Sequence, residues 1–251
     1  MPPRTPWIQV SNPRPAARVR LYCFPYAGSG AGVFRSWSDG LDPRIEVRAV
    51  LPPGRERRFV EPALGTVTDM ADSLLPALLP GLDPPFALFG HSLGAMLAFE
   101  TARRLSAAGR APIHLMVSAA RAPHQPMHSV SYHRLPDTEF LPAVSKLGGT
   151  PDELTANAEL AALMLPTLRA DFMAAETYAQ QPDLPLPCPI TAFGGTDDPV
   201  VSSARLDAWA DHAGAGFRKH ELPGNHFFIA TARSALLELI ERELIPHLAA
   251  A

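Results

Sequence analysis

A chain of 251 residues is long enough to bury one sizeable core and short for two. With 47% hydrophobic and 19% charged residues it has a globular composition, which excludes a fibrous repeat or a disordered tract. A formal charge of -3 leaves no basic field for gripping a phosphate backbone, so nucleic acid is not an expected partner.

The N-terminal stretch "MPPRTPWIQVSNPRP" is broken by prolines before a signal peptide can form, and no later run approaches the ~20 apolar residues of a membrane span. A cytoplasmic chain that does not engage a membrane is expected. Cys23 and Cys188, each among apolar or proline neighbours, read as buried thiols of a reducing compartment.

In chain order, residues 18–24, 45–50, 85–90, 113–119, 189–193 and 217–222 are short β-branched or aromatic runs bounded by Gly and Pro, and are predicted strands. Helical spacing fills 66–79, 93–108, 203–212 and 231–249. Strand and helix alternate, which predicts an α/β protein with a mostly parallel sheet covered on both faces. One interval, about 122–187, breaks the rhythm, being far longer than a simple connection. "TEFLPAVSKLG" and the stretch from Glu153 to Ala179 within it are predicted helices. Proline-rich flanks, "RAPHQP" and "QQPDLPLPCP", mark the interval as an inserted helical lid on a single domain spanning 1–251.

"FGHSLGA" places Ser92 between Gly90 and Gly94, where a predicted strand gives way to a predicted helix. A turn this tight requires small neighbours and exposes the hydroxyl at the end of the sheet, above the positive end of a helix. A nucleophilic serine needs a base, and the base an orienting acid. Among the nine histidines, His226 in "LPGNHFF" stands best, after the last strand and a Pro-Gly turn, at the same sheet edge as Ser92. His91 is fixed in the elbow with its side chain directed away, and His220 and His247 read as structural or surface residues. His124, His128 and His133 sit in a proline-interrupted loop without a carboxylate cluster at ligand spacing, so no metal is expected. Of two aspartates in "GGTDDPVV", Asp198 is chosen as the acid, leaving Asp197 to the turn. Ser92, Asp198 and His226 follow the order of the α/β-hydrolases. The small-residue loop "CFPYAGSGAG" supplies a second oxyanion donor, so the backbone N–H groups of Ala27 and Leu93 are the expected oxyanion hole. That loop lacks both the P-loop lysine and the G-x-G-x-x-G pattern of a dinucleotide site.

"FPYAGSGAGVFRSW", "LPPGRERRFVEP", "FGHSLGA", "GGTDDPVV" and "LPGNHFF", in that order across nearly the whole chain, resemble the type II thioesterases that accompany modular polyketide synthases and nonribosomal peptide synthetases. The serine motif is generic to α/β-hydrolases, whereas the first two segments are more specific to this group. One departure is Ser29 after Gly28, where the group often has a second glycine. The resemblance implies an α/β-hydrolase fold with a helical lid. It also implies a stand-alone editing enzyme that hydrolyses acyl groups from the phosphopantetheine arm of acyl or peptidyl carrier proteins, through Ser92, Asp198 and His226. That chemistry requires no cofactor. A carboxylesterase or lipase-like hydrolase acting on small esters, and a non-catalytic relative, are the alternatives. Arg55, Arg57 and Arg58 are either a surface for an acidic carrier protein or a solvated loop paired with Glu56 or Glu61.

Overall fold

The six predicted strands lie side by side in one sheet of a computed structural model, which describes residues 7–82, 85–127, 131–148, 157–180 and 184–249. The strands are β1 (Ile8–Gln9), β2 (Val19–Phe24), β3 (Ile45–Val50), β4 (Phe86–His91), β5 (His114–Ser118), β6 (Ile190–Gly195) and β7 (Phe217–Leu222), in the order β1-β3-β2-β4-β5-β6-β7. All neighbours from β3 to β7 run parallel. The sequence reading lacked β1, a two-residue antiparallel edge strand pairing Ile8 with Val50. Two residues carry no periodicity to read.

Alternation along the strands sends side chains to two cores. Tyr22, Phe24, Leu88, Leu115 and Val117 face one layer with α1 (Val67–Leu78) and α2 (Leu93–Ala107). Leu21, Cys23, Ala87, Phe89 and Met116 face the other, packing with Trp37 and with the C-terminal helix from Arg233 to Leu244. Both faces are thus covered, as a parallel sheet requires. α1 starts where the Thr66 side chain accepts the Asp69 N–H.

Between β5 and β6 lie α3 (Asp137–Ser145) and α4 (Ala158–Thr177), over the two stretches with helical spacing, of which residues 153–156 lie outside the described residues. They form a smaller core of their own, in which Phe140, Val144 and Leu168 pack with Tyr132, Leu165 and Phe172. Asn157 caps α4, its side chain accepting the N–H groups of Glu159 and Leu160. The predicted helix at 203–212 is α5 (Ser203–Asp207) running on into a 3₁₀ turn, Ala208–His212. A one-turn helix that the sequence reading lacked, α6 (Phe228–Thr231), precedes the predicted helix at 231–249, which is α7 (Arg233–Leu244) with a closing 3₁₀ turn, Ile245–His247, where Pro246 removes a helical donor.

Candidate active site

Parallel strands deliver their C-terminal ends to one edge of the sheet, where sites on open α/β folds gather. Ser92 follows β4 directly, Asp198 lies just beyond β6 and His226 just beyond β7. At Ser92 the backbone has φ 54° and ψ -117°, a left-handed-side conformation that costs a non-glycine residue roughly 1–3 kcal/mol. Surrounding contacts hold it there. A Cβ on Gly90 would stand 2.1 Å from the carbonyl oxygen of Gly94, and one on Gly94 would stand 2.1 Å from that of Phe24. The Ser92 N–H donates to Ser118 O on β5 at 2.8 Å.

Ser92 Oγ lies 3.1 Å from His226 Nε2, and His226 Nδ1 lies 2.8 Å from Asp198 Oδ2. The acceptor-only carboxylate assigns the proton of the neutral ring to Nδ1, leaving Nε2 to accept from the hydroxyl. The Asp198 side chain is wholly buried, and its Oδ1 accepts the N–H groups of Val200 (2.7 Å) and Val201 (3.1 Å). The neighbouring Asp197 is exposed and takes part in the turn, with its N–H on Gly224 O at 2.9 Å and its carboxylate accepting the Thr196 hydroxyl. The loops of β6 and β7 touch because residue 195 has no side chain, a Cβ there standing 2.4 Å from Gly224 O.

His91 does point away from the serine, and it has a task the sequence reading did not assign. Its Nε2 meets the backbone oxygen of His226 at 2.9 Å and so donates, while Nδ1 accepts the Ser118 hydroxyl at 2.9 Å. Burial, then the nearby charge of His226, push its pKa well below the usual histidine range, so the ring stays neutral and holds this tautomer. No local signal reveals the role, because the partner carbonyl is 135 residues away.

Leu93 opens α2, so its N–H is one of the donors a helix cannot pair internally. Ala27 lies in a turn closed by Ser29 N–H to Tyr26 O at 3.0 Å, with Gly28 at φ 75°. That is a type II turn, whose first central residue keeps its N–H out of the turn's own hydrogen bond. The end of β2 packs on the first turn of α2, Pro25 O being 2.7 Å from the position of a Gly94 Cβ.

A cavity of about 80 Å³ opens beside the serine, lined by Ser92, His226, Leu93, Met96, Met127 and Ala175 among others. A larger one, about 300 Å³, lies among Thr66, Glu100, Arg103 and Tyr178 and shares no residue with it. Of the two, only the smaller cavity contains Ser92 and His226.

Of the histidines weighed for a metal, His133 pairs with Glu176 and His124 with His212, while His128 lies outside the described residues. In "GRERR", Arg55 and Arg58 are turned inward, only 3% and 6% exposed, so the carrier-docking role weighed for the segment does not fit these two. Arg58 pairs with Glu61 at 2.6 Å and lies over the Trp7 ring.

A parallel sheet with a serine at the turn into a helix, and an aspartate and a histidine beyond later strands, defines an α/β-hydrolase fold with a serine-hydrolase arrangement. The family described as thioesterase domain matches residues 19–244. The chain belongs to the thioesterase family, among the type II thioesterases of polyketide and nonribosomal peptide systems. The thioesterase PikA5 of Streptomyces venezuelae is 39% identical over 225 residues, covering 89% of this chain and 80% of its own. The solved structure described as the type II thioesterase BorB from the borrelidin biosynthetic cluster aligns with a TM-score of 0.87 at 38% identity, covering 95% of this chain and 97% of BorB. A Brevibacillus parabrevis protein is 42% identical over 246 residues, covering 96% of this chain and 94% of its own, and is named linear gramicidin dehydrogenase LgrE. In the present chain, β2 is followed by a tight turn and a 3₁₀ turn at Ala31–Phe34, not by the glycine loop and helix of a dinucleotide site.

Proposed function

We propose that this thioesterase cleaves acyl groups from the phosphopantetheine arm of carrier proteins, using Ser92 as nucleophile, His226 as base and Asp198 as orienting acid. The observation that carries the reading is the unbroken run of contacts Ser92 Oγ, His226 Nε2, His226 Nδ1, Asp198 Oδ2, at 3.1 and 2.8 Å. Ser92 attacks the thioester carbonyl as His226 takes its proton, and the oxyanion rests on the N–H groups of Leu93 and Ala27. The C–S bond breaks, and the thiol, with a pKa of about 8.5, leaves with the proton His226 returns. Water, deprotonated by the same ring, then releases the acid and restores the serine. The segment 122–187 acts as a lid over the acyl pocket, to which Ala175 of α4 already contributes. Two free, buried thiols, Cys23 and Cys188, support a cytoplasmic setting. Among the described residues no helix is long and apolar enough to cross a membrane.

Release of an acyl group from a loaded carrier protein tests the reading, against hydrolysis of a p-nitrophenyl ester of the same acid. The carrier substrate is expected to be preferred, and Ser92→Ala to lose about 10⁴-fold or more in kcat and all labelling by a fluorophosphonate. A Ser92→Ala protein that still turns over removes the triad. Preference for the simple ester moves the assignment to a carboxylesterase.

A further inference from the structure

The oxyanion loop is held from outside by groups the reaction does not use. Asp171, on α4, has no solvent exposure, and its Oδ2 accepts the N–H of Gly28 at 2.7 Å. Arg55 grips the same carboxylate with both terminal nitrogens, Nη1 on Oδ2 at 2.7 Å and Nη2 on Oδ1 at 2.9 Å. Nη1 also donates to Ser29 O at 3.0 Å, and Nε to Pro53 O at 3.1 Å. On the same flank of α4, Leu168 packs on Gly28, where a Cβ would stand 2.7 Å from Leu168 Cδ1, and Thr167 donates its hydroxyl to Gly54 O at 3.0 Å. One face of α4 therefore clamps both the loop that carries Ala27 and the loop that carries Arg55.

The bonded atom matters. In the turn Tyr26–Ser29 the peptide joining Ala27 to Gly28 is the one whose orientation separates a type II from a type I turn. Its N–H points at Asp171. The carboxylate thus selects one of two turn conformations and pins the turn that carries Ala27 against α4. A buried ion pair is a weak source of stability, since packed apolar groups of similar volume often do as well or better. Here it supplies direction: an anionic acceptor for one chosen N–H, oriented by a fork that also ties down the next carbonyl.

We infer that Asp171, oriented by Arg55, is a positioning residue for the oxyanion donor at Ala27, so that α4 must be docked for the acylation site to be complete. The inference rests on the proposed roles of Ser92 and Ala27, and extends them to the inserted segment. A loop held in this way presents its donor only while the insert is seated, which ties acyl-group binding under the insert to the competence of the hole.

The test is the paired variant Arg55→Met with Asp171→Leu, which removes both charges together, so neither is left buried alone. The probe substrate is an acyl-N-acetylcysteamine thioester, and an alkyl boronic acid serves as a tetrahedral mimic. The expected result is a kcat lower by about 10- to 100-fold, somewhat less than outright removal of an oxyanion donor costs. KM should stay within about twofold, while boronate affinity falls in parallel with kcat. A folded pair variant with wild-type kcat and boronate affinity overturns the inference, whereas loss of the underlying triad reading would instead show as an active Ser92→Ala protein. Should the pair variant not fold, amide exchange in the unaltered protein decides. A Gly28 amide protected by about 100-fold or more over an unstructured peptide supports the inference, and weaker protection overturns it.

Discussion

Ser92 shows how much local constraint one side chain at a strand-to-helix turn demands. Its φ of 54° is maintained by two glycines whose missing side chains let β4, the start of α2 and the end of β2 come within contact of one another. The strain belongs to the backbone and persists when the hydroxyl is removed, so Ser92→Ala should gain little stability. Ser92→Gly relaxes the strain, partly offset by the larger entropy of an unfolded glycine. In urea unfolding Ser92→Gly is therefore expected to be more stable than Ser92→Ala by about 1 kcal/mol. Equal stability would mean that the turn is not strained. Gly94→Ala tests the opposite side of the same packing. Its methyl would meet a backbone carbonyl at 2.1 Å, not a movable side-chain end, and is expected to destabilise by about 2 kcal/mol or more.

At the scale of elements, the site is assembled by ties between the ends of three strands. His91 at the end of β4 receives the hydroxyl of Ser118 at the end of β5 and gives its proton to the carbonyl of His226 beyond β7. Replacing it with alanine leaves that buried carbonyl without its donor, at a cost of about 1–3 kcal/mol. It also loosens the loop that aims the imidazole. His91→Ala is expected to lower both the unfolding free energy and kcat, with fluorophosphonate labelling of Ser92 slowed but present; unchanged kcat would show that the loop is held by other contacts. These ties also mark the limit of what the sequence makes legible. Ser92 was readable because glycine spacing and the switch from strand to helix are local. Asp198 was readable because adjacent side chains diverge and it is the aspartate that stands immediately before Pro199, and His226 because a Pro-Gly turn follows a strand. The contacts of His91 and Asp171 were not, since their partners are 135 and 143 residues away and no periodicity encodes such a meeting. Arg55 and Arg58 misled for a related reason. A basic run reads as surface until the buried carboxylate of Asp171 and the Trp7 ring supply an interior for it.

For the molecule as a whole, acid sensitivity follows from histidines folded in their neutral form. His114, on β5 against the Thr191 hydroxyl at 2.9 Å, is held down to about 4, first by burial and then by the charges of Arg218 and His247. His212, packed among Phe99, Trp209 and His124, is likewise held down to about 4, chiefly by burial. His91 is depressed in the same direction. When a base has a lower pKa folded than unfolded, the two states bind protons equally above the unfolded value near 6.5. Below it the unfolded chain takes up protons that the folded chain refuses, so stability falls with pH at up to about 1.4 kcal/mol per unit for each ring. The loss runs from about pH 6.5 down to about pH 4. Carboxylates enter only near the end of that window, Asp42, for example, being held at about 2 by its hydrogen bonds to Arg44. The unfolding free energy is therefore expected to be nearly flat from pH 8 to 7 and to decline between 6.5 and 4.5, with His114→Gln showing a shallower decline than the wild type. A profile that stays level down to pH 4.5 would mean that these rings accept protons in place. Because His91 shares this fate and holds the His226 loop, activity should fall along with the unfolding free energy on the acid side as the buried rings charge and the loop ends part. Assay and urea unfolding of the same samples from pH 8 to 4.5 check this: a kcat that holds level while the unfolding free energy declines would show that the loop stays seated.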